Sequence, residues 1–133
     1  MKSIYEFVNR IIPGDCVEVM RQMPAGSVDF IATDPPYLVG YTSRDGRVIA
    51  NDKTDEWLMP ACREMYRVLK YNRFLVCFYG WNTVDRFFAA WKQAGFHPVG
   101  HLNRSTRDSY TRCHGYPDIT RLRVLPVCQC CVA

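Results

Sequence analysis

Apolar residues fall in short blocks along the first hundred positions, and the blocks alternate between two spacings. Phe7-Val8-Asn9-Arg10-Ile11-Ile12 predicts a short strand that Pro13-Gly14 ends. Asp15 stands where a helix N-cap belongs, because its carboxylate can accept from backbone N–H groups of the first turn. Val17, Met20 and Met23 follow at three-residue spacing and give that helix one apolar face, up to Pro24-Ala25-Gly26. Residues 28–33 (Val-Asp-Phe-Ile-Ala-Thr) predict a second strand, stopped by Asp34-Pro35-Pro36. Residues 38–53 are polar, without a period, and contain the turn signal Ser43-Arg44-Asp45-Gly46. A loop of this length in a compact domain is usually functional or mobile.

A helix is predicted over 55–70, with Thr54 as its cap and Leu58, Ala61, Met65, Val68 and Leu69 on one face. The continuous apolar run from Phe74 to Tyr79 predicts a strand buried on both faces. Residues 83–94 predict another helix, with Val84, Phe87, Phe88 and Trp91 inward and Gly95 as its C-cap glycine. Residues 97–102 predict a last strand. Strands alternating with helices imply a parallel α/β sheet, and such sheets bind ligands beyond the carboxyl ends of their strands. Asp15, Asp34 and Gly80-Trp81 are all expected at such ends.

Composition changes after Leu102. Residues 1–102 carry 12 Lys/Arg against 11 Asp/Glu, so they show no general electrostatic footprint for DNA. Residues 103–133 carry five Arg, two Asp and four of the seven Cys, with no Lys, Glu, Phe or Trp. We expect a partial catalytic domain over 1–102 and a divergent tail over 103–133, lacking regular structure over most of its length. The odd cysteine count does not fit a complete disulfide framework. Cys113-His114 with Cys128, Cys130 and Cys131 has poor spacing for zinc, and no metal is expected. Met1-Lys2 is followed by no apolar signal region, so a cytoplasmic protein that does not enter the membrane is expected, with reduced cysteines.

The chemistry concentrates at Asp34-Pro35-Pro36-Tyr37. Two prolines fix φ and remove two backbone donors, so the turn offers acceptors: the Asp34 carboxylate and the carbonyls around Pro35. An exocyclic amino group on a nucleobase has two N–H donors and a lone pair delocalised into the ring. Accepting from both N–H groups favours a more nucleophilic nitrogen and stabilises the positive charge that develops there. Tyr37 supplies a flat face for a base drawn out of the duplex. A plain strand-ending turn with a capping Asp is the competing reading of the tetrapeptide alone.

Gly14-Asp15-Cys16, Met23-Pro24-Ala25-Gly26-Ser27-Val28-Asp29-Phe30-Ile31 and Thr33-Asp34-Pro35-Pro36-Tyr37 together resemble the N-4/N-6 DNA methylase family. More narrowly, they resemble its permuted class, in which DPPY precedes the FxGxG motif. The resemblance continues through Ala50-Asn51-Asp52-Lys53, Glu64-Met65-Tyr66-Arg67-Val68-Leu69-Lys70 and Phe78-Tyr79-Gly80-Trp81, covering about residues 4–102. It implies a Rossmann-like sheet binding S-adenosyl-L-methionine (SAM), a double-stranded DNA substrate, and Asp34, Pro35, Pro36 and Tyr37 as the catalytic turn. Asp in first position resembles the adenine-N6 enzymes. The resemblance also makes Asp15 a contact for the cofactor's adenine end, beside its reading as a helix cap. Arg44, Arg47 and Lys53 either touch DNA phosphates or belong to a solvated loop. Tyr79 and Trp81 line the pocket or belong to the core, the latter being favoured.

FxGxG is absent from the sequence: Gly115 is the one glycine after residue 102. The loss of pattern there predicts a truncated or frameshifted product and an incomplete sheet with an exposed strand edge. The expected activity is adenine-specific DNA methylation. The alternatives are an inactive remnant with weak nucleic-acid affinity, and an amino-methyltransferase acting on RNA or protein.

Overall fold

The computed structural model describes residues 2–102 and 128–132; at residues 101–102 and 128–132 the description is of the backbone. Three helices pack on a four-stranded sheet. In chain order the main elements are α1 (Cys16–Gln22), β1 (Val28–Thr33), α2 (Leu58–Val68), β2 (Leu69–Phe78), α3 (Val84–Ala94), β3 (His97–Leu102) and β4 (Cys128–Val132). The strand order is β1-β2-β4-β3. β1 and β2 are parallel, while β4 runs antiparallel to both β2 and β3. The three strands read from the sequence therefore share one direction, and β4 is inserted between two of them.

The predicted strand over 7–12 does not form. A short 3-10 turn covers Ile4–Glu6, and Asn9 then takes a left-handed φ of 57° that interrupts any extended run. Ile11 is 99% exposed and Ile12 40%, so the two isoleucines that suggest a strand contribute little to any core. The helix expected over 55–70 is shorter at both ends. Its N-cap is Trp57 rather than Thr54, with Pro60 in the first turn, where a missing N–H costs nothing. Leu69 leaves the helix to enter β2.

β2 also starts earlier than its apolar run. Val28 pairs with Leu69 but Phe30 pairs with Phe74, so residues 70–73 form an excursion in the ladder. Asn72 is left-handed there, and Lys70 donates to the Asp29 carboxylate at 2.8 Å. Regular pairing resumes at Phe74, the position the sequence indicates. β4 lies within the tail expected to lack regular structure over most of its length. Residues 103–127 and 133 fall outside the described residues, as do the side chains of the suggested zinc ligands.

The core lies between the sheet and α2 and α3. Tyr79, Phe87 and Trp91 are fully buried, with ring centroids 5.6 Å (Tyr79–Trp91) and 5.8 Å (Phe87–Trp91) apart. Each such ring contributes roughly 1.5–3 kcal/mol by leaving water. Burial pushes the Cys62 thiol up to about 12, so it remains a protonated, inert core residue. Arg67 of α2 reaches across to α1 and donates to the carbonyls of Met20 (2.6 Å) and Met23 (3.0 Å). It thereby satisfies acceptors that a helix end leaves open.

The sequence-based C-cap of α3 is borne out. Gly95 has φ 108°, and a Cβ there would lie 2.9 Å from the Tyr66 ring. Gly95→Ala should therefore destabilise the protein by about 1–3 kcal/mol, from backbone strain and overpacking together. Urea unfolding should show the midpoint falling with an unchanged slope.

Candidate functional site

β1 ends at Thr33, which pairs with Cys77, so Asp34 emerges beside the end of β2 and the Tyr79-Gly80 segment. The parallel pairing puts two chain reversals at one edge of the sheet. Asp34 is exposed, and Pro35, Pro36 and Tyr37 are half-buried. The Tyr37 hydroxyl donates to Asp34 Oδ1 at 2.7 Å. The turn thus holds its own carboxylate in a fixed orientation without drawing on a backbone donor, which two prolines could not supply.

A second segment braces the turn from below. Thr83, buried at the start of α3, places its hydroxyl 2.8 Å from the Tyr37 carbonyl and 3.2 Å from the Gly80 carbonyl. Gly80 packs directly on Tyr37: a Cβ there would meet Tyr37 Cβ and O at 3.3 Å and Asn82 Oδ1 at 2.9 Å. A side chain at position 80 would push the 34–37 turn outward. Tyr79 is core, as the sequence favours, but Trp81 is 79% exposed and is not.

The polar stretch after Tyr37 is folded. Thr42 bridges Val48 in antiparallel fashion around a Ser43–Gly46 turn, in which the Gly46 N–H donates to the Ser43 carbonyl. The arms of this hairpin meet at Asp52, which is 1% exposed. Its carboxylate accepts from the backbone N–H of Val39 (3.2 Å) and Tyr41 (2.7 Å), and its carbonyl accepts from Gly40 (3.0 Å).

Of the residues expected to touch phosphate, Arg44 and Arg47 lie at the exposed hairpin tip and Lys53 on its return arm. Arg47 is paired with Asp45 at 2.6 Å; the Ser43 hydroxyl first, and then this pairing, hold the Asp45 carboxyl below its ordinary range. Arg44 and Lys53 have no ion-pair partner among the described residues. Asp15 caps α1, its Oδ1 accepting from Val17 (2.9 Å) and Glu18 (3.1 Å). With no strand over 7–12, it does not sit at a strand end as expected. Among the described residues, no hydrogen bond or ion pair joins it to the 34–37 turn. Two residues of this site went unassigned in the sequence. Thr83 reads there as a helix start, and Asp52 as one more polar loop position.

The profile of the DNA methylase family matches residues 28–118, more than half of the chain. This chain belongs to the DNA methylase family. The methylase chain is 67% identical over 95 residues to YubD of Escherichia coli (strain K12), named as a methylase, with 71% of this chain and 42% of YubD covered. It is 42% identical over 62 residues to the DNA adenine methyltransferase YhdJ of the same organism, covering 45% of this chain and 21% of YhdJ. Its fold is that of a DNA modification methylase of Thermus thermophilus, TTHA0409, solved in complex with S-adenosyl-L-methionine. The TM-score is 0.53 at 17% identity, over 89% of this chain and 49% of that one. The chain thus spans about half or less of the length of these relatives. The α/β methyltransferase sheet expected from the sequence is what the structure contains.

The brace beneath the turn can be weighed. Thr83→Val keeps the shape and removes the donor, leaving the half-buried Tyr37 carbonyl without it, whereas Thr83→Ser keeps the hydroxyl. Thr83→Val should cost about 1–2 kcal/mol in chemical denaturation. Thr83→Ser should recover most of that loss.

Proposed function

We propose that this chain carries the methyl-acceptor half of a site-specific, adenine-specific DNA methyltransferase, which moves a methyl group from SAM to adenine N6 in duplex DNA. The observation that carries the reading is the 34–37 turn: an exposed carboxylate at the end of a parallel strand, followed by two residues without N–H donors and a tyrosine that orients it. Family membership, and likeness to a relative named as a DNA adenine methyltransferase, support it. In this reading Asp34 and the Pro35 carbonyl accept from the two N–H groups of a flipped adenine. The amino nitrogen then presents its lone pair on the side opposite these acceptors, where a methyl group can arrive, and the carboxylate offsets its growing positive charge. The Tyr37 ring stacks on the base. Arg44 and Lys53 contact phosphates, joined by Arg47 once it exchanges Asp45 for the backbone. The protein works in the cytoplasm, and no described helix is long and apolar enough to cross a membrane.

SAM is the proposed methyl source, and it would supply an activated methyl group. The residues here do not fit it by themselves. Its amino-acid end calls for a close backbone approach of the kind FxGxG gives, and this sequence lacks that motif. Gly80, the glycine that follows β2, has its open face filled by Tyr37 and Asn82. Asp15 is our candidate for the cofactor's adenine end, with Oδ1 already taken by the cap. The same lack favours the second reading, a catalytically inactive remnant that keeps weak nucleic-acid affinity. Calorimetry on the chain alone should accordingly show weak or no SAM binding, and tight binding would mean that other residues complete the site.

The acceptor half can be tested in a chimera of YubD whose matching 95 residues are replaced by those of this chain. Tritiated-methyl transfer to an adenine-containing duplex should fall by about a hundredfold in Asp34→Ala, the scale of losing one group that stabilises developing charge. Tyr37→Ala should weaken base capture by about 1–3 kcal/mol. Near-normal turnover of Asp34→Ala would leave the turn structural and end the assignment.

A further inference from the structure

We infer that Asp52 is a positioning residue, a buried carboxylate that clamps the segment after the catalytic turn and so fixes where Tyr37 presents its ring. The inference rests on the acceptor-half reading above and deepens it.

Asp52 is the one fully buried carboxylate among the described residues. Burying such a group is costly unless hydrogen bonds replace its water. Here the replacement comes from one short segment. The N–H groups of Val39, Gly40 and Tyr41 all point at Asp52, two at its carboxylate and one at its carbonyl. Gathering the N–H groups of residues 39 and 41 on one carboxylate, with the N–H between them on the same residue's carbonyl, takes an unusual backbone, and the segment has one: Leu38 has φ 62° and Gly40 φ 64°. For glycine this costs little. For leucine it costs strain, which persists only where the surroundings impose it.

The strained residue is bonded directly to Tyr37. Its side chain also packs against the core, so Leu38 is held from both sides. The catalytic turn is therefore fixed at its leading end by β1, from below by Thr83, and at its trailing end by Asp52. Without the clamp, Leu38 would relax toward ordinary backbone angles, and the Tyr37 ring would move with it. An apolar residue at position 52 would escape the desolvation cost but leave the Val39 and Tyr41 N–H groups without this acceptor, so the carboxylate is what specifies this backbone path.

The test uses the full chain with Asp52→Asn, which keeps the shape, and Asp52→Ala. Trypsin cleavage after Arg44 and Arg47 should speed up by about tenfold or more in both, while cleavage after Arg63 and Arg67 in α2 stays at the wild-type rate. A duplex with 2-aminopurine at the target position reports base capture by its fluorescence. Its amplitude at saturation should fall to about half or less in the variants, with an affinity within about twofold of wild type. An unchanged amplitude in variants with a loosened hairpin overturns the positioning role. So does global unfolding of Asp52→Asn by circular dichroism, because the residue would then serve the core. Unchanged cleavage at Arg44 and Arg47 overturns the clamp. If the wild-type chain gives no 2-aminopurine signal, the acceptor-half reading fails and the positioning role with it, while proteolysis still decides the clamp.

Discussion

The parallel ladder between β1 and the regular part of β2 is the contact on which the site depends. Both strands leave the sheet at the same edge, so the chain must reverse twice within a few ångströms. One reversal is Asp34-Pro35-Pro36-Tyr37 and the other is Gly80 to Thr83. Neither stands alone. The Tyr37 carbonyl is satisfied from Thr83, and Gly80 is small because Tyr37 occupies the space a side chain would need. An antiparallel pairing would have sent the two reversals to opposite ends of the sheet, and the 34–37 turn would have had no floor.

Much of this was legible in the sequence, for reasons that can be located. The α3 helix, its inward Phe87 and Trp91 and its Gly95 cap could be read because burial imposes a period and a left-handed terminus favours glycine. The DPPY turn was legible because two prolines directly after a strand restrict the backbone severely. The strand over 7–12 was misread because apolar content says nothing of a pairing partner, and Asn9 does not announce a positive φ. β4 was hidden for a related reason: its neighbours in the sheet are distant in sequence, and its own five residues are too few to show a period.

Asp52 shows a different limit. Pattern reading assigns charged residues in aperiodic stretches to solvent, which is right for most of them. This carboxylate is buried with two backbone donors in place of its water, while a third holds the carbonyl of the same residue, and the donor segment includes Leu38 in a left-handed conformation. Long-range closure of this kind leaves no trace in spacing. The expectation that residues 38–53 form a loop was correct in outline. The part most relevant to the site lay in how that loop closes on itself.

The insertion of β4 between β2 and β3 bears on how the chain acquires its shape during synthesis. β1, α2 and β2 are close neighbours in sequence and can assemble as soon as they leave the ribosome. β3 cannot join them directly, because the lane beside β2 belongs to residues made some 26 positions after β3 ends. Until those residues emerge, β2 and β3 each present unpaired N–H and C=O groups toward an empty lane. Such edges recruit other strands, including those of neighbouring nascent chains. The interval between translation of β3 and of β4 is therefore the period in which this protein is most exposed to misassembly, and a pause in translation there would prolong it.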